Sequence, residues 1–248
     1  MSTSVKVSEL PDHQGQPTFR IDTPAATWYY HKAGAGFASL IDPDGRDWIG
    51  FRPTGGSDGA YRGIPNLVHP AGYFHPGGDA CESRIVDAGG DRVLIESTAE
   101  GGRWAVRWEI TTLWAHLTVL AAPEPYWFLY EGTPGGRLDE ANDFCLRARG
   151  LRTTAGEAWD ETLAHPKWVA FGSPAAGRSL ILVHHDGGDE VDSYRPMEHN
   201  MTVFGFGRRG LDKFLTGVDR RFTVQLVGAA MDDAIHAAVT AALSVPEV

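Results

Sequence analysis

Cysteine is scarce in this chain of 248 residues, with Cys81 and Cys145 as the two present. Two cysteines so far apart are too few for a disulfide-stapled scaffold or a zinc knuckle. The first residues also lack the apolar stretch of a secretory signal. We therefore expect a cytoplasmic protein whose two thiols stay reduced.

Long apolar runs and clusters of basic residues are missing too. No apolar stretch approaches the length of a membrane-spanning helix, and no polybasic run suggests binding to a membrane surface. The formal net charge is -10, whereas neutralising nucleic-acid phosphates requires clustered lysine and arginine. We therefore expect neither a membrane nor a nucleic acid as a partner.

The remaining pattern is that of a β-protein. Short segments rich in β-branched and aromatic residues follow one another, bounded by glycine, proline, aspartate or asparagine. The stretches 42–46 and 88–91 have the composition of hairpin turns. Alternation is clearest over residues 103–110, and it predicts these core side chains: Trp104, Val106, Trp108 and Ile110.

Residues 229–243 form the one convincingly helical stretch, with acidic residues in its first turn. Many strands before one terminal helix predict an all-β fold. We expect an antiparallel β-sandwich of supersandwich or jelly-roll type with a short C-terminal helix. Residues 1–248 are expected to form one domain, with residues 1–15 loosely ordered.

Two irregular regions, residues 52–81 and 132–165, interrupt the series of predicted strands. We predict that they form the two walls of a groove. The first contains flat rings, hydrogen-bond donors and groups that titrate near neutrality. This mixture is typical of sugar sites, although each residue could instead pin the loop to the sandwich. The candidate ligand contacts in this loop are Arg52, Tyr61, Arg62, His69, Tyr73 and His75.

Further candidates lie at the ends of predicted strands. Tyr130 and Glu131 end one strand, His184 ends another, and Lys167 begins a third. We predict that His75 or His184 forms an acid–base pair with Tyr130. Arg62 and Arg107 would hold an acidic group, and Glu131 and Lys167 would contact the substrate.

No metal or other cofactor is expected. His184 and His185 are neighbours on a strand and face opposite sides, which disfavours a metal site built from this pair. His69, His75 and His184 could still meet in space, so a metal-dependent cupin-like enzyme stays open as an alternative. The Gly205 and Gly207 spacing lacks the strand-to-helix context of a phosphate loop.

Residues 28–49 read WYYHKAGAGFASLIDPDGRDWI, a strand, a glycine-rich approach and an Asp-x-x-Gly turn. This stretch resembles the opening hairpin of galactose mutarotase-like sandwiches, although His184–His185 does not stand where that family has paired histidines. The resemblance implies a sandwich of the kind found in sugar epimerases, polysaccharide lyases and glycosidases.

Together these observations favour an enzyme of lyase or epimerase type that uses acid–base chemistry on a small sugar or an oligosaccharide. A non-catalytic sugar-binding sandwich is the main alternative. The sequence leaves the oligomeric state open, a homo-oligomer included.

Overall fold

The computed structural model describes residues 4–53, 62–70, 72–197 and 200–244. Most of the regular structure is β-strand, and the one α-helix of these residues is C-terminal, which confirms the predicted all-β class. The elements are β1 (Lys6–His13), β2 (Gln16–Asp22), β3 (Thr27–His31), β4 (Gly36–Ile41), β5 (Cys81–Gly89), β6 (Arg92–Ala99), β7 (Trp104–Thr111), β8 (Ala115–Ala121), β9 (Phe128–Gly132), β10 (Phe144–Arg147), β11 (Leu151–Thr154), β12 (Trp159–Glu161), β13 (Lys167–Ser173), β14 (Arg178–His184), β15 (Asp192–Met197), β16 (Met201–Phe206), β17 (Arg208–Arg209), β18 (Asp212–Lys213), β19 (Arg221–Val227) and α1 (Asp232–Leu243).

The strands form three larger sheets and one short hairpin. The first sheet has the order β1-β2-β3-β4, and the largest has the order β11-β10-β13-β14-β19-β8-β7-β6-β5. A third sheet has the order β12-β15-β16-β9, and β17 pairs with β18. The paired strands run antiparallel, as in a sandwich built from hairpins.

The main core lies between these sheets and is rich in aromatic rings. The Phe37 ring contacts Trp28 and Trp108 at centroid distances of 5.0 and 4.7 Å. Trp104 and Trp108 of β7 are buried, as the alternation predicts, and so are the other two predicted positions of that strand. A smaller cluster lies under α1, where Ile235 packs with side chains of β10, β13 and β14.

Two boundaries differ from those predicted. Residues 6–13, expected to be loosely ordered, form β1 and pair with β2 from Lys6↔Asp22 to His13↔Gln16. Their side chains are largely exposed, so the segment shows little apolar alternation and backbone pairing holds it in the sheet. The helix begins at Asp232 because Met231 is still extended, with φ -100° and ψ 137°.

The region 132–165 also differs from its prediction, because it contains β10, β11 and β12. Strand β10 is buried throughout, so it lacks the polar–apolar alternation that marks a half-buried strand. Strands β11 and β12 have only four and three residues, too short to show a period. The region therefore belongs to the sheets.

The turn after β4 forms as predicted and is organised by Asp42. Its Oδ1 accepts hydrogen bonds from the amides of Asp44 and Arg46, both at 2.9 Å, and its Oδ2 accepts one from Trp48 Nε1 at 3.2 Å. Cys81 and Cys145 are both buried and free. Within the described ranges, no helix is long and apolar enough to cross a membrane.

Candidate acid–base site

Strand β9 carries the carboxylate around which the candidate site is built. Glu131 of this strand pairs with Val203 of β16 on one side and with Gly63 on the other. The Glu131 amide donates to the Gly63 carbonyl at 3.0 Å, and the Gly63 amide donates back at 2.7 Å. Hydrogen bonds on both edges fix the backbone from which the Glu131 side chain extends.

The segment that precedes β5 brings His75 to this carboxylate. Phe74 has a left-handed backbone (φ 55°) and a fully buried ring, which anchors the chain next to His75. The His75 carbonyl accepts a hydrogen bond from the Gly78 amide at 2.9 Å. It also lies against Gly34, where a Cβ would be only 2.1 Å from the His75 oxygen. The bare backbone of Gly34 thus makes room for the histidine.

Pro76 extends this close contact. Its Cδ would lie 2.8 Å from a Cβ at Gly36 and 2.4 Å from a Cβ at Gly63. Real Cβ contacts are longer than this, so the two glycines let the segment lie directly on β4 and on the strand-like stretch beside β9. The glycine-rich segment of residues 33–36 therefore lets His75 and Pro76 pack directly against the backbone.

His75 and Glu131 form a hydrogen-bonded pair. His75 Nδ1 lies 2.7 Å from the Pro76 carbonyl oxygen, which can only accept, so Nδ1 carries a hydrogen. His75 Nε2 lies 3.1 Å from Glu131 Oε2. A hydrogen bond at that distance needs one proton, either on the imidazole or on the carboxyl group. The pair can therefore give a proton to a ligand or take one from it.

Asn66 supports the pair from the same loop. Its Nδ2 donates a long hydrogen bond to Glu131 Oε2 at 3.4 Å, and its Oδ1 accepts from the His69 amide at 3.0 Å. Both contacts fix the amide orientation, because the carbonyl oxygen must face the His69 N–H. Asn66 is almost completely buried. Within the described residues Glu131 Oε1 accepts no hydrogen bond, so this oxygen keeps its capacity to accept one from a ligand.

The pair lies close to the surface without being fully exposed. The side chains of His75 and Glu131 are 7% and 12% exposed. His31 lies near His75, and burial lowers the pKa of His31 to about 4, with His13 and His75 lowering it further. His31 is therefore neutral near pH 7 and adds no charge beside His75.

Tyr130, predicted as the partner of His75, faces away from it. Adjacent strand residues point to opposite faces, so Tyr130 and Glu131 cannot serve the same site. The Tyr130 ring is fully buried against Phe171, and its hydroxyl donates to the Trp48 carbonyl at 2.6 Å. Burial raises the pKa of Tyr130 well above its usual range. Tyr130 belongs to the core, and Glu131 takes the position beside His75.

His184 and Lys167 lie together in another part of the molecule. The His184 ring stacks on Phe222 at 4.5 Å in the core, and burial lowers its pKa to about 3. Lys167 is fully buried, and its Nζ donates to Asp192 Oδ2 at 2.9 Å and to the Glu190 carbonyl at 2.6 Å. The structure gives both residues a role in packing and does not bring them to His75.

Arg107 lies on the outer face of β7, away from the pair. Its guanidinium donates two hydrogen bonds to Glu96 Oε1, at 3.1 and 2.6 Å, and Arg84 donates to the other oxygen of Glu96. All three residues are on strands of the nine-stranded sheet. Arg107 thus takes part in a solvent-facing ion-pair row.

Arg62 is buried close to β9, whereas Arg52 is exposed. Arg62 donates to Thr133 Oγ1 at 2.8 Å and to Asn200 Oδ1 at 2.9 Å, which ties the loop to the sandwich. Burial lowers the pKa of Arg62, and Arg52 lowers it further. Neither residue has a contact with the His75–Glu131 pair among the described residues.

Tyr73 is partly exposed, and its hydroxyl donates to Glu100. Tyr61 lies outside the described residues. His69 does come to the site, stacked on Trp127 with a centroid distance of 6.4 Å. Of the predicted residues, the structure therefore brings His69, His75 and Glu131 together.

Sequence reasoning missed two cations next to this group, Arg208 and Lys213. They lie on the β17–β18 hairpin and point over the Trp127 ring. Strands of two residues leave no periodic signal, so the sequence gives no reason to place them beside residue 131. Among the described residues, no group of three or more histidine, cysteine, aspartate or glutamate side chains could hold a metal ion.

Neither protein-family models nor the sequences of curated proteins match the chain. Solved structures do match the chain. The putative mutarotase YeaD from Salmonella typhimurium superposes with a TM-score of 0.55 at 10% identity, covering 92% of this chain and 95% of that one. A galactose mutarotase-like protein from Lactobacillus casei gives a TM-score of 0.53 at 12% identity, covering 85% and 100%.

The chain has a galactose mutarotase-like sandwich fold. The α-N-acetylgalactosaminidase NagBb from Bifidobacterium bifidum, solved with GalNAc, contains the same fold, with a TM-score of 0.57 at 14% identity. That match covers 90% of this chain and 38% of the glycosidase. The resemblance seen in residues 28–49 is thereby confirmed at the level of the fold. Identities this low describe the fold alone, so the chemistry has to be argued from the site.

Proposed function

We propose that this protein binds a sugar or the end of an oligosaccharide beside His75 and Glu131 and transfers protons on it, as an epimerase or lyase does. The observation that carries the proposal is the 3.1 Å contact between His75 Nε2 and Glu131 Oε2. General acid–base catalysis needs one group that gives a proton and one that takes a proton within reach of the same ligand.

A change of configuration at the anomeric carbon shows how the pair would work. Glu131 Oε1 takes the proton of the anomeric hydroxyl while His75 Nε2 gives the shared proton to the ring oxygen. The bond between the anomeric carbon and the ring oxygen breaks, and its electron pair stays on the ring oxygen. The electrons of the hydroxyl O–H bond form the new C=O bond.

After this step the pair again holds one proton, so the same two residues can close the ring on either face of the carbonyl. A lyase would use the same exchange, with a C–H bond in place of the anomeric O–H. The fold supports a sugar ligand, because proteins named as a mutarotase and as an α-N-acetylgalactosaminidase share it.

The test is turnover by variants that keep the shape of the site. Crystalline α-anomers of common aldoses and uronic acids are dissolved with the protein, and anomeric proton signals are followed by NMR. Ultraviolet absorbance detects the unsaturated product of a lyase. His75→Gln and Glu131→Gln are each expected to lower the rate by about 10²- to 10⁴-fold. The amide nitrogen introduced by Glu131→Gln can still donate to His75 Nε2 at the expense of the long 3.4 Å bond from Asn66, so the melting temperature should fall only slightly.

Tyr73→Phe is the matched control, because it removes a hydrogen bond from the same loop that involves neither His75 nor Glu131. It should keep the wild-type rate. Turnover that survives in both His75→Gln and Glu131→Gln would contradict the proposal. Sugar binding without turnover by the wild type would identify a binding module instead of an enzyme.

A further inference from the structure

The β17–β18 hairpin presents two cations on one face. Arg208 and Lys213 are directly paired across the hairpin, so their side chains lie on the same side of it. The Arg208 guanidinium carbon lies 5.7 Å from the centre of the Trp127 ring, and Lys213 Nζ lies 5.0 Å from it. The neighbouring Arg209 is exposed and lies over Phe214 instead.

Neither charge is neutralised by the described residues. Arg208 and Lys213 are both half-buried, yet neither forms an ion pair within 4 Å or a side-chain hydrogen bond with any of them. The Nε and Nη1 atoms of Arg208 are buried without a hydrogen-bond partner. Burial of unpaired charge is costly, and burial accordingly lowers the pKa of both side chains. A bound anion would offset that cost.

The carboxylates that act on these cations lie farther away or are already engaged. Glu131 and Asp160 raise the pKa of Arg208, but Asp160 is hydrogen-bonded to Arg195 at 2.5 Å. Glu124 acts similarly on Lys213. Glu131 is also hydrogen-bonded to His75. Two positive charges therefore face one carboxylate that has another partner.

His69 connects the cations to the acid–base pair. Its ring stacks on Trp127, the same ring that Arg208 and Lys213 overlie. Burial lowers the pKa of His69, Glu131 raises it, and His75, Lys213 and Arg208 lower it. All four groups thus lie within electrostatic range of one imidazole. A ligand that touches Glu131 can therefore extend to the hairpin.

We infer that Arg208, Lys213 and His69 form a subsite for an anionic group on the sugar, a carboxylate or a phosphate ester. The inference rests on the proposed function, because it places the anion on the ligand of His75 and Glu131. A guanidinium fork suits both kinds of anion, since it donates parallel hydrogen bonds to two oxygens. The ammonium of Lys213 adds a point charge.

Calorimetric titration of the whole chain tests this subsite. Galacturonate, galactose 6-phosphate, galactose and inorganic phosphate serve as probes. At least one of the two anionic sugars should bind at least about tenfold more tightly than galactose, in keeping with a charge-assisted hydrogen bond. The tighter of the two identifies the anion as a carboxylate or a phosphate ester. Arg208→Gln and Lys213→Gln should each weaken that binding by roughly 10- to 100-fold and leave galactose binding unchanged.

Arg209→Gln is the matched control, because it removes the same charge from the other face of the hairpin. Equal losses in Arg209→Gln and Arg208→Gln would show general surface attraction and overturn the subsite. Wild-type affinity in both Arg208→Gln and Lys213→Gln would overturn it as well. Melting curves show whether Arg208→Gln stays folded, and the less buried change at Lys213 provides an independent measurement.

The two proposals fail in different ways. If His75→Gln turns over sugars normally but Arg208→Gln loses the anionic ligand, the acid–base proposal fails and the subsite stands. If His75→Gln loses turnover and no variant of the hairpin discriminates anionic from neutral sugars, the acid–base proposal stands and the subsite fails.

Discussion

Gly34 gives the sharpest test of how the site is positioned, because it touches no ligand and no titrating atom. A Cβ at this position would lie 2.1 Å from the His75 oxygen, 2.9 Å from its carbonyl carbon and 3.0 Å from Pro76 Cα. Ordinary contact begins at 3.4 Å, so Gly34→Ala must move the His75 backbone by about 1.3 Å. The hydrogen bond from the Gly78 amide opposes that shift.

Two effects of different size follow from this displacement. A methyl group forced into a packed contact costs about 1–3 kcal/mol of unfolding free energy. A misplacement of about 1 Å in a reacting group costs about 10²-fold in rate. Gly34→Ala should therefore lose turnover far more than its modest loss of stability explains. Sugar turnover and chemical denaturation, both measured at a temperature where the variant is folded, provide the comparison.

Gly89→Ala is the control for Gly34→Ala, since a Cβ at Gly89 would meet nothing within 4 Å. It should keep both stability and turnover. The reasoning is refuted if Gly34→Ala also keeps both, because the backbone contact would then not position His75. NMR of the His75 ring nitrogens gives a further readout that needs no substrate.

Three further changes separate packing roles from chemical roles. Lys167→Met leaves the Asp192 carboxylate buried without its partner and should cost about 3–5 kcal/mol, with turnover by the folded fraction unchanged. Tyr130→Phe removes the hydrogen bond to the Trp48 carbonyl, which keeps its bond from the Thr133 amide, and should cost about 0.5–1.5 kcal/mol in denaturant unfolding, again with normal turnover. The pKa of His184 is about 3 when folded and about 6.5 when unfolded. The unfolded state thus binds the extra proton, and stability falls as pH drops from about 6.5 toward 3. His184→Leu should flatten that part of the curve.

Each of these outcomes has a clear opposite. A stable Lys167→Met with a raised KM would restore the predicted substrate contact. Loss of turnover in Tyr130→Phe without loss of stability would return Tyr130 to the reaction. An unchanged pH–stability curve in His184→Leu would show that this imidazole does not set the acid limit. His165→Gln, a change at an exposed histidine, is the control for that series.

The sandwich was predictable because its signals are local. Alternation over β7 and the turn chemistry at Asp42 each involve a few neighbouring residues, and both appear in the structure as predicted. Strand β10 was not predicted, because burial on both faces removes the alternation of polar and apolar residues. Strand β1 was not predicted for the opposite reason, since its side chains are mostly exposed.

The site was only partly predictable, because it depends on which face of a strand looks outward and on contacts between distant segments. The sequence places Tyr130 and Glu131 together at a strand end but does not say which one turns toward His75. That choice depends on the pairing of β9 with β16 and with Gly63. The grouping of His69 with Arg208 and Lys213 depends on Trp127 as a shared surface, which only the fold reveals.

The short hairpin of β17 and β18 also bears on how such a protein can change its ligand over evolutionary time. Two pairs of residues make up this hairpin, and one of those pairs carries both cations. Glu131 and His75 are held separately, the first by a strand bonded on both edges and the second by a loop that packs against glycine. With the proposed subsite, a few substitutions in six residues would therefore alter the charge of the accepted ligand without touching His75 or Glu131. Libraries confined to residues 208–213 are the economical starting point for redirecting this scaffold toward other sugars.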